Sequence, residues 1–140
     1  MPESTPRVKF APYRERQDEE YMNERQLEHF RQLLLAWKLQ LRGEVERTVQ
    51  HLHEEATACA DPNDRASQEE EFAVELRARD RERKLIRKID EALGQLEEGS
   101  YGYCEACGEP IGVRRLEARP TATLCIDCKE LEERREKKWA

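Results

Sequence analysis

The sequence has few aromatic residues and little apolar material with which to fill a large core. Of its 140 residues, three are phenylalanine, two are tryptophan and four are tyrosine, while 37% are hydrophobic and 40% are charged. A compact core needs more apolar side chains, so this composition favours an elongated shape that buries a narrow stripe. Long apolar runs are also lacking, because none reaches the roughly 18 residues of a transmembrane span.

Basic residues are fewer than acidic ones, and the first residues lack the pattern of a signal peptide. The 25 Lys and Arg residues are outnumbered by 31 Asp and Glu, giving a net charge of −6. Coating DNA or an anionic membrane relies on Lys and Arg, so neither is expected as the main activity. The start, MPESTPRVKFAPYRERQDEE, lacks a charged segment followed by an apolar one, so we expect a cytoplasmic protein. Thiols stay reduced in that compartment, and the five cysteines therefore need an explanation other than disulfides.

Composition and periodicity divide the chain into segments of a mainly α protein. Residues 1–22, with prolines at 2, 6 and 12, are expected to be extended or partly disordered, with Phe10 and Tyr13 docked on the body. The rest is predicted to form a coiled-coil hairpin at 23–98 with its tip at 59–67, a four-cysteine zinc module at 99–128 and a C-terminal helix at 129–140. The helical pattern of that last segment starts at Ile126.

Two apolar stripes predict the two helices of the hairpin. Asn23, with Gln26 three residues later, has the pattern of a helix N-cap. The first stripe has the 3-4 spacing of one helix face and then shifts by one position; it comprises Leu27, Phe30, Leu34, Trp37, Leu41, Val45, Val49, Leu52 and Ala56. The second stripe comprises Phe72, Leu76, Ile86, Ile89, Leu93 and Leu96.

The two stripes predict an antiparallel register. Facing residues of an antiparallel hairpin have numbers with a constant sum, and 123 matches Leu27 with Leu96, Phe30 with Leu93, Leu34 with Ile89 and Trp37 with Ile86. This sum places the turn between Asp61 and Pro62. Helices of about 35 residues, at about 1.5 Å per residue, predict an arm of about 50 Å.

The turn sequence DPND, residues 61–64, has two interpretations. Asp61 suits an N-cap, Pro62 suits the first helical position, and Asp64 faces the positive end of the helix dipole, so capping alone explains all three. Alternatively, the two acids lie about one helical turn apart and present carboxylates to a metal ion or to basic groups. The length of the arm favours a functional tip.

Four cysteines have the spacing of a zinc site. Cys104 and Cys107 form one C-x2-C pair, and Cys125 and Cys128 form a second pair after seventeen residues. Such pairs bring four sulfurs to one tetrahedral ion. A redox dithiol and an iron–sulfur cluster are the alternatives. Four thiolates leave no open coordination position, so the zinc is expected to be structural.

The charges of residues 101–140 and 77–88 indicate which kinds of partner each segment could bind. Residues 101–140 hold eight basic and eight acidic residues, which does not favour sequence-specific DNA binding. The stretch RARDRERKLIRK, residues 77–88, holds seven basic residues and two acids, and is either a solvated face or a docking surface for phosphates or an acidic partner. Arg119 and Lys129 are candidates to share that site. Cys59, beside the turn, is interpreted as an ordinary small residue.

Several stretches resemble the DksA/TraR-type RNA polymerase-binding transcription factors. They are EEYMNERQLEHFRQLLLAW, DPNDRASQEEEF, ELRARDRERKLI and YGYCEACGEPIGVRRLEARPTATLCIDCK, and they cover residues 19 to about 138. The resemblance implies a monomer without catalysis that binds the rim of the β′ subunit and passes its hairpin through the secondary channel. It implies destabilised open promoter complexes, repression of ribosomal RNA promoters, activation of some others, and action with the alarmone ppGpp.

The resemblance also implies roles for individual residues. The tip residues of the family fall on Asp61, Asp64 and Ala66. The ppGpp-binding residues fall on Leu85, Lys88, Arg119 and Lys129, and a polymerase contact falls on Arg81. The four cysteines match the zinc ligands.

The sequence fits three other functions less well. A transcript-cleavage factor of the Gre type also inserts a hairpin and holds Mg²⁺ with tip carboxylates, but such factors lack the four-cysteine module. A zinc hydrolase needs an open metal position, and the three histidines, His29, His51 and His53, all lie in the first helix. A zinc module that binds RNA predicts salt-dependent affinity, which the balanced charge of residues 101–140 does not favour.

Overall fold

The computed structural model describes residues 9–58 and 62–139, without the side chains of residues 55–58, 62–65 and 139. In this part of the chain it has four helices, α1 (Glu24–Ala58), α2 (Pro62–Glu98), α3 (Val113–Ala118) and α4 (Ile126–Trp139), and no strand. Tyr103 and Pro110 form an isolated antiparallel bridge. The mainly α fold with two long helices is thus confirmed. None of the described helices is long and apolar enough to cross a bilayer.

The chain divides into two compact units. The hairpin unit contains Leu35–Lys88, and the zinc-module unit contains Lys9–Leu34 with Ile89–Ala140. The first therefore takes the C-terminal part of α1 and the N-terminal part of α2, and the second takes the other ends of both helices together with α3 and α4.

The start of α1 is fixed by a double cap. The Gln26 amide N–H donates to Asn23 Oδ1 at 3.0 Å, which confirms Asn23 as the N-cap. The Gln26 side chain in turn accepts a hydrogen bond from the Met22 amide at 2.7 Å. Because Gln26 is 2% exposed, these bonds satisfy polar groups that burial would otherwise leave without partners.

The zinc-module unit has an apolar core built from both long helices. Its buried residues include Phe30, Leu33 and Leu34 of α1, and Ile89, Ala92 and Leu96 of α2. The stripe positions Phe30, Leu34, Ile89 and Leu96 are therefore buried as predicted, while Leu27 and Leu93 are half-buried. The residue pairing given by the sum of 123 stays a prediction.

Two positions of the predicted stripes are wrong in the hairpin unit. Val49 and Leu76 are 46% and 48% exposed, whereas Thr48 and Glu82 are buried. The other described stripe positions of this unit beyond Leu41 are half-buried as predicted: Val45, Leu52, Phe72 and Ile86. The seam, meaning the line of side chains that each long helix turns toward the other, keeps its 3-4 spacing through polar residues. A helix of a coiled coil presents every third or fourth residue to its partner, whether that residue is apolar or polar. The predicted stripe instead follows the apolar residues, and so it departs from the seam where the seam residues are polar.

The seam of the hairpin unit contains a charged pair. Arg79 Nη1 donates to Glu82 Oε2 at 2.5 Å, and the two side chains are 19% and 10% exposed. Between the helices, His51 Nδ1 of α1 lies 4.0 Å from Glu75 Oε2 of α2. The stretch 77–88 is thus divided: Arg79 and Glu82 lie in the seam, and its exposed basic residues are Arg77, Arg81, Arg83, Lys84, Arg87 and Lys88.

Replacing the seam pair by apolar residues should stabilise the hairpin. We expect the double variant Arg79→Met, Glu82→Leu to gain about 1–4 kcal/mol in the free energy of unfolding, because two desolvated charges are removed together. Arg79→Met alone should cost about 3 kcal/mol, since it leaves the Glu82 carboxylate unpaired. Denaturant unfolding of the zinc-saturated protein, followed by circular dichroism, measures both.

The exposed pair Asp80 and Arg83 supplies the control for this prediction. Its atoms lie 3.8 Å apart and its side chains are 66% and 50% exposed, so Arg83→Met should change the stability by less than about 1 kcal/mol. A double variant less stable than the unchanged protein would contradict the prediction and show that the charged pair stabilises the hairpin.

Candidate metal centre and hairpin tip

The first cysteine pair lies in a tight knuckle. The Cys104 amide donates to the Glu109 carbonyl at 2.8 Å, and the Gly108 amide donates to the Cys104 carbonyl at 2.9 Å. Gly108 has a φ of +79°, in the left-handed region that glycine adopts without a steric penalty. This turn brings Cys107 back toward Cys104.

The second pair is held by the start of α4. Cys125 directly precedes the helix, its carbonyl accepts from the Lys129 amide at 2.9 Å, and Cys128 lies in the first turn. A bond from the Glu105 amide to the Thr123 carbonyl, 2.9 Å long, joins the two knuckles. Backbone hydrogen bonds therefore hold both cysteine pairs in place without a contribution from a metal ion.

The four sulfurs have the geometry of a tetrahedral site. All four Sγ atoms lie within 4.8 Å of one another, and those of Cys107 and Cys125 are 3.7 Å apart. Tetrahedral zinc with bonds of about 2.3 Å requires sulfurs about 3.8 Å apart. The cluster therefore fits a zinc ion with four thiolate ligands. No other group of three or more His, Cys, Asp or Glu in the described residues has its ligand atoms this close.

The thiols of the cluster do not ionise together. Burial raises the pKa of Cys104, but hydrogen bonds from the backbone amides of Cys125, Cys107 and Ala106 lower it to about 6. Hydrogen bonds of the Cys128 thiol to the sulfurs of Cys125 and Cys104, together with burial, raise the pKa of Cys128 to about 12. A divalent cation would favour the thiolate form of all four, so metal binding would release protons.

The module is anchored through Tyr101 and α3. Tyr101 is 1% exposed, its hydroxyl donates to the Pro120 carbonyl at 2.7 Å, and its ring lies 5.6 Å from that of Phe30. In α3, Val113 and Leu116 are buried. The sequence analysis missed this helix; the spacing of its two apolar residues after Gly112 was the available signal.

Further contacts tie the N-terminal segment, residues 9–22, to the module. The Tyr13 amide donates to Glu117 Oε1 at 2.9 Å, and His29 Nε2 contacts the same oxygen. The rings of Phe10 and Tyr13 lie 5.5 and 5.2 Å from that of His29. His29, a ligand candidate under the hydrolase alternative, thus packs against these rings and contacts Glu117. Sequence analysis did not find Glu117.

The tip is described only in part. Asp61 and Cys59 lie outside the described residues, and so does the side chain of Asp64. Helix α2 begins at Pro62, and Ala66 is exposed. The cap by Asp61 and the pairing of the two acids stay predictions.

The predicted ppGpp-binding residues fall in both units. In the hairpin unit, Leu85 is half-buried and Lys88 is exposed. In the other unit, Arg119 is exposed at the C-cap of α3, and Lys129 is half-buried with its Nζ 3.8 Å from Glu132 Oε2. Arg81, the predicted polymerase contact, is exposed.

Two family models match the chain. The model described as the N-terminal domain of the DnaK suppressor protein DksA matches residues 26–96. The model described as the prokaryotic DksA/TraR C4-type zinc finger matches residues 99–134, which contain all four cysteines. With the sulfur geometry, this match supports a structural zinc ion at the cluster.

Relatives match over almost the whole chain. The RNA polymerase-binding transcription factor DksA of Escherichia coli strain K12 is 64% identical over 129 residues, which is 92% of this chain and 85% of that protein. The protein of the same name from Haemophilus influenzae is 60% identical over 92% of this chain and 89% of its own length. Among solved structures, the transcription factor DksA2 of Pseudomonas aeruginosa matches with a TM-score of 0.78 and 48% identity, covering 84% of this chain and 90% of that one.

Proposed function

Because this chain belongs to the DksA family, we propose that it binds RNA polymerase and regulates transcription. The observation that carries the proposal is the joint match of the hairpin, residues 26–96, and the zinc finger, residues 99–134, to that family. Relatives named as RNA polymerase-binding transcription factors are 64% and 60% identical over 92% of the chain. Since RNA polymerase is its partner, the protein acts in the cytoplasm, as a monomer and without catalysis of its own.

The working part is the tip of the hairpin. It passes through the secondary channel of polymerase toward the active centre, where Asp61, Asp64 and Ala66 destabilise open promoter complexes. A slim pair of helices suits a narrow pore, and the exposure of Ala66 supports a tip that is free to make contacts. Ribosomal RNA promoters are repressed and some others are activated.

The exposed face of α2 docks on the rim of the β′ subunit. Arg77, Arg81, Lys84 and Lys88 are exposed at spacings of four, three and four residues, which puts them on one side of the helix. Such a stripe suits an acidic partner surface, and mutating one of its charges should mainly slow association. Arg81 is the residue assigned to the polymerase contact.

The alarmone ppGpp acts as the co-regulator. Lys88, Arg119 and Lys129 supply positive charges for its phosphates, and Leu85 supplies an apolar contact. Lys88 and Arg119 are exposed, which supports their availability to an anion. The zinc ion has a structural role, because four thiolates leave no position for a reacting group.

The lifetime of an open complex tests this function. With purified polymerase on a ribosomal RNA promoter, the protein should shorten the lifetime, and ppGpp should shorten it further. Lys88→Ala should remove most of the ppGpp effect, whereas Lys138→Ala, which removes an exposed lysine of α4, should not. An unchanged lifetime in the presence of demonstrated polymerase binding would contradict the proposal.

A Gre-type transcript-cleavage factor is the second candidate, since it too uses tip carboxylates. The match of residues 99–134 to the DksA/TraR zinc finger favours the first. On a backtracked elongation complex with Mg²⁺ we expect no stimulation of transcript cleavage by this protein; stimulation that is lost on changing Asp64 would favour the second.

A further inference from the structure

Tyr21, in the N-terminal segment, bonds to both ends of the first zinc knuckle. Its hydroxyl donates to the Gly102 carbonyl at 2.6 Å and accepts from the Gly112 amide at 3.0 Å. These partners are 81 and 91 residues away in the sequence, and all three residues belong to the zinc-module unit. A phenol that donates and accepts in this way joins two backbone groups through one side chain.

The two glycines bracket the loop that carries Cys104 and Cys107. The Ile111 amide donates to the Gly102 carbonyl at 2.8 Å, so this oxygen accepts two hydrogen bonds, one from the loop and one from Tyr21. Next along the loop come the Tyr103–Pro110 bridge and the Cys104 to Glu109 bond. The Tyr21 hydroxyl therefore closes the same ladder of bonds that shapes the metal-binding turn.

The surroundings hold Tyr21 in place as a donor. Its ring packs edge-on against Tyr103 at 5.6 Å. Burial raises its pKa, so the hydroxyl stays protonated at neutral pH. The next residue, Met22, is tied to α1 through Gln26, and a methyl group added at Gly102 would meet the Met22 side chain at 3.0 Å. Little free space separates this part of the segment from the knuckle.

We infer that Tyr21 is a positioning residue for the zinc site, whose two hydrogen bonds hold the first knuckle in its metal-binding shape. Partners outside the ligand set commonly orient metal ligands, and their loss typically costs 10- to 100-fold in metal affinity. Linkage is reciprocal, so bound zinc should also hold Tyr21 on the knuckle. The inference does not depend on the proposed function.

Zinc release from Tyr21→Phe tests the inference. The zinc-saturated full-length protein is mixed with excess chelator, and release is followed by the absorbance of the chelate. We expect release to be about 10-fold faster than from the unchanged protein. Tyr13→Phe is the matched control, because it removes a hydroxyl from the same segment that bonds to Glu19 rather than to the module, and it should release zinc at the unchanged rate.

Two further measurements separate positioning from general packing. Circular dichroism of zinc-saturated Tyr21→Phe should show unchanged helix content. In zinc-saturated Tyr21→Phe, the Gly112 amide, which donates to the Tyr21 hydroxyl in the unchanged protein, should exchange faster than in zinc-saturated Tyr13→Phe. Release at the unchanged rate, equal acceleration in Tyr13→Phe, or lost helix content in the zinc-saturated variant would each overturn the inference.

Discussion

Replacing Asp64 by asparagine is expected to abolish the effect of this protein on open complexes while leaving its affinity for polymerase within about twofold. The substitution keeps the size of the side chain and removes one negative charge. If the tip acts through its carboxylates near the active centre, that charge is what the open complex responds to. Promoter-complex lifetime and competition for polymerase, measured on the same preparations, give the two quantities.

The alternative role of Asp64 predicts a different result. As a capping residue near the start of α2, it interacts with the helix dipole, and its loss costs about 0.3–1 kcal/mol of stability. Such a loss would leave the effect on the open complex intact, or would weaken binding and activity together. Glu69→Gln is the matched control, because it neutralises an exposed acid of the same helix outside the acidic turn, and should leave activity unchanged.

Replacing Cys104 by serine should eliminate zinc binding and unfold the module. Cys104 is 4% exposed, and its Sγ belongs to the cluster within 4.8 Å. Structural zinc supplies about 10–16 kcal/mol of binding free energy in small modules, more than residues 99–128 can replace with so few buried apolar groups. Zinc content by mass spectrometry and hydrogen exchange across the module measure the loss.

A second cysteine and the hairpin unit supply two controls for Cys104→Ser. Cys59→Ser, outside the cluster spacing, should retain one zinc ion per chain. Amides of the hairpin unit, Leu35–Lys88, should keep their protection in Cys104→Ser, because the seam of that unit contains no zinc ligand. Full zinc content and native exchange in Cys104→Ser would contradict the assignment of the four ligands.

The sequence predicted the features that local periodicity encodes. The two long helices follow from the stripes, the start of α1 follows from Asn23, and the zinc site follows from the C-x2-C spacing. The stripes are wrong at Val49 and Leu76 of the hairpin unit, because they follow the apolar residues there and depart from a strict 3-4 spacing. Thr48 and Glu82 are polar, and only the strict period identifies them as seam residues.

The missed contacts are long-range. Tyr21 with Gly102, Tyr21 with Gly112 and Tyr13 with Glu117 are separated by 81, 91 and 104 residues. No local pattern connects such positions, and tertiary packing alone selects them. The roles of Leu85, Lys88, Arg119 and Lys129 came from the family resemblance, since their chemistry indicates an anion site without identifying the anion.

The position of the tip inside polymerase tests the central claim most directly. A photocrosslinking amino acid is introduced at Ser67, the exposed last residue of the predicted tip, and in a second protein at Glu98, the exposed last residue of α2. Each is crosslinked to purified polymerase and the attached peptides are identified by mass spectrometry. The account predicts that Ser67 labels peptides of the secondary channel and active centre, while Glu98 labels none of these. Labelling of the outer surface alone from Ser67 would contradict it.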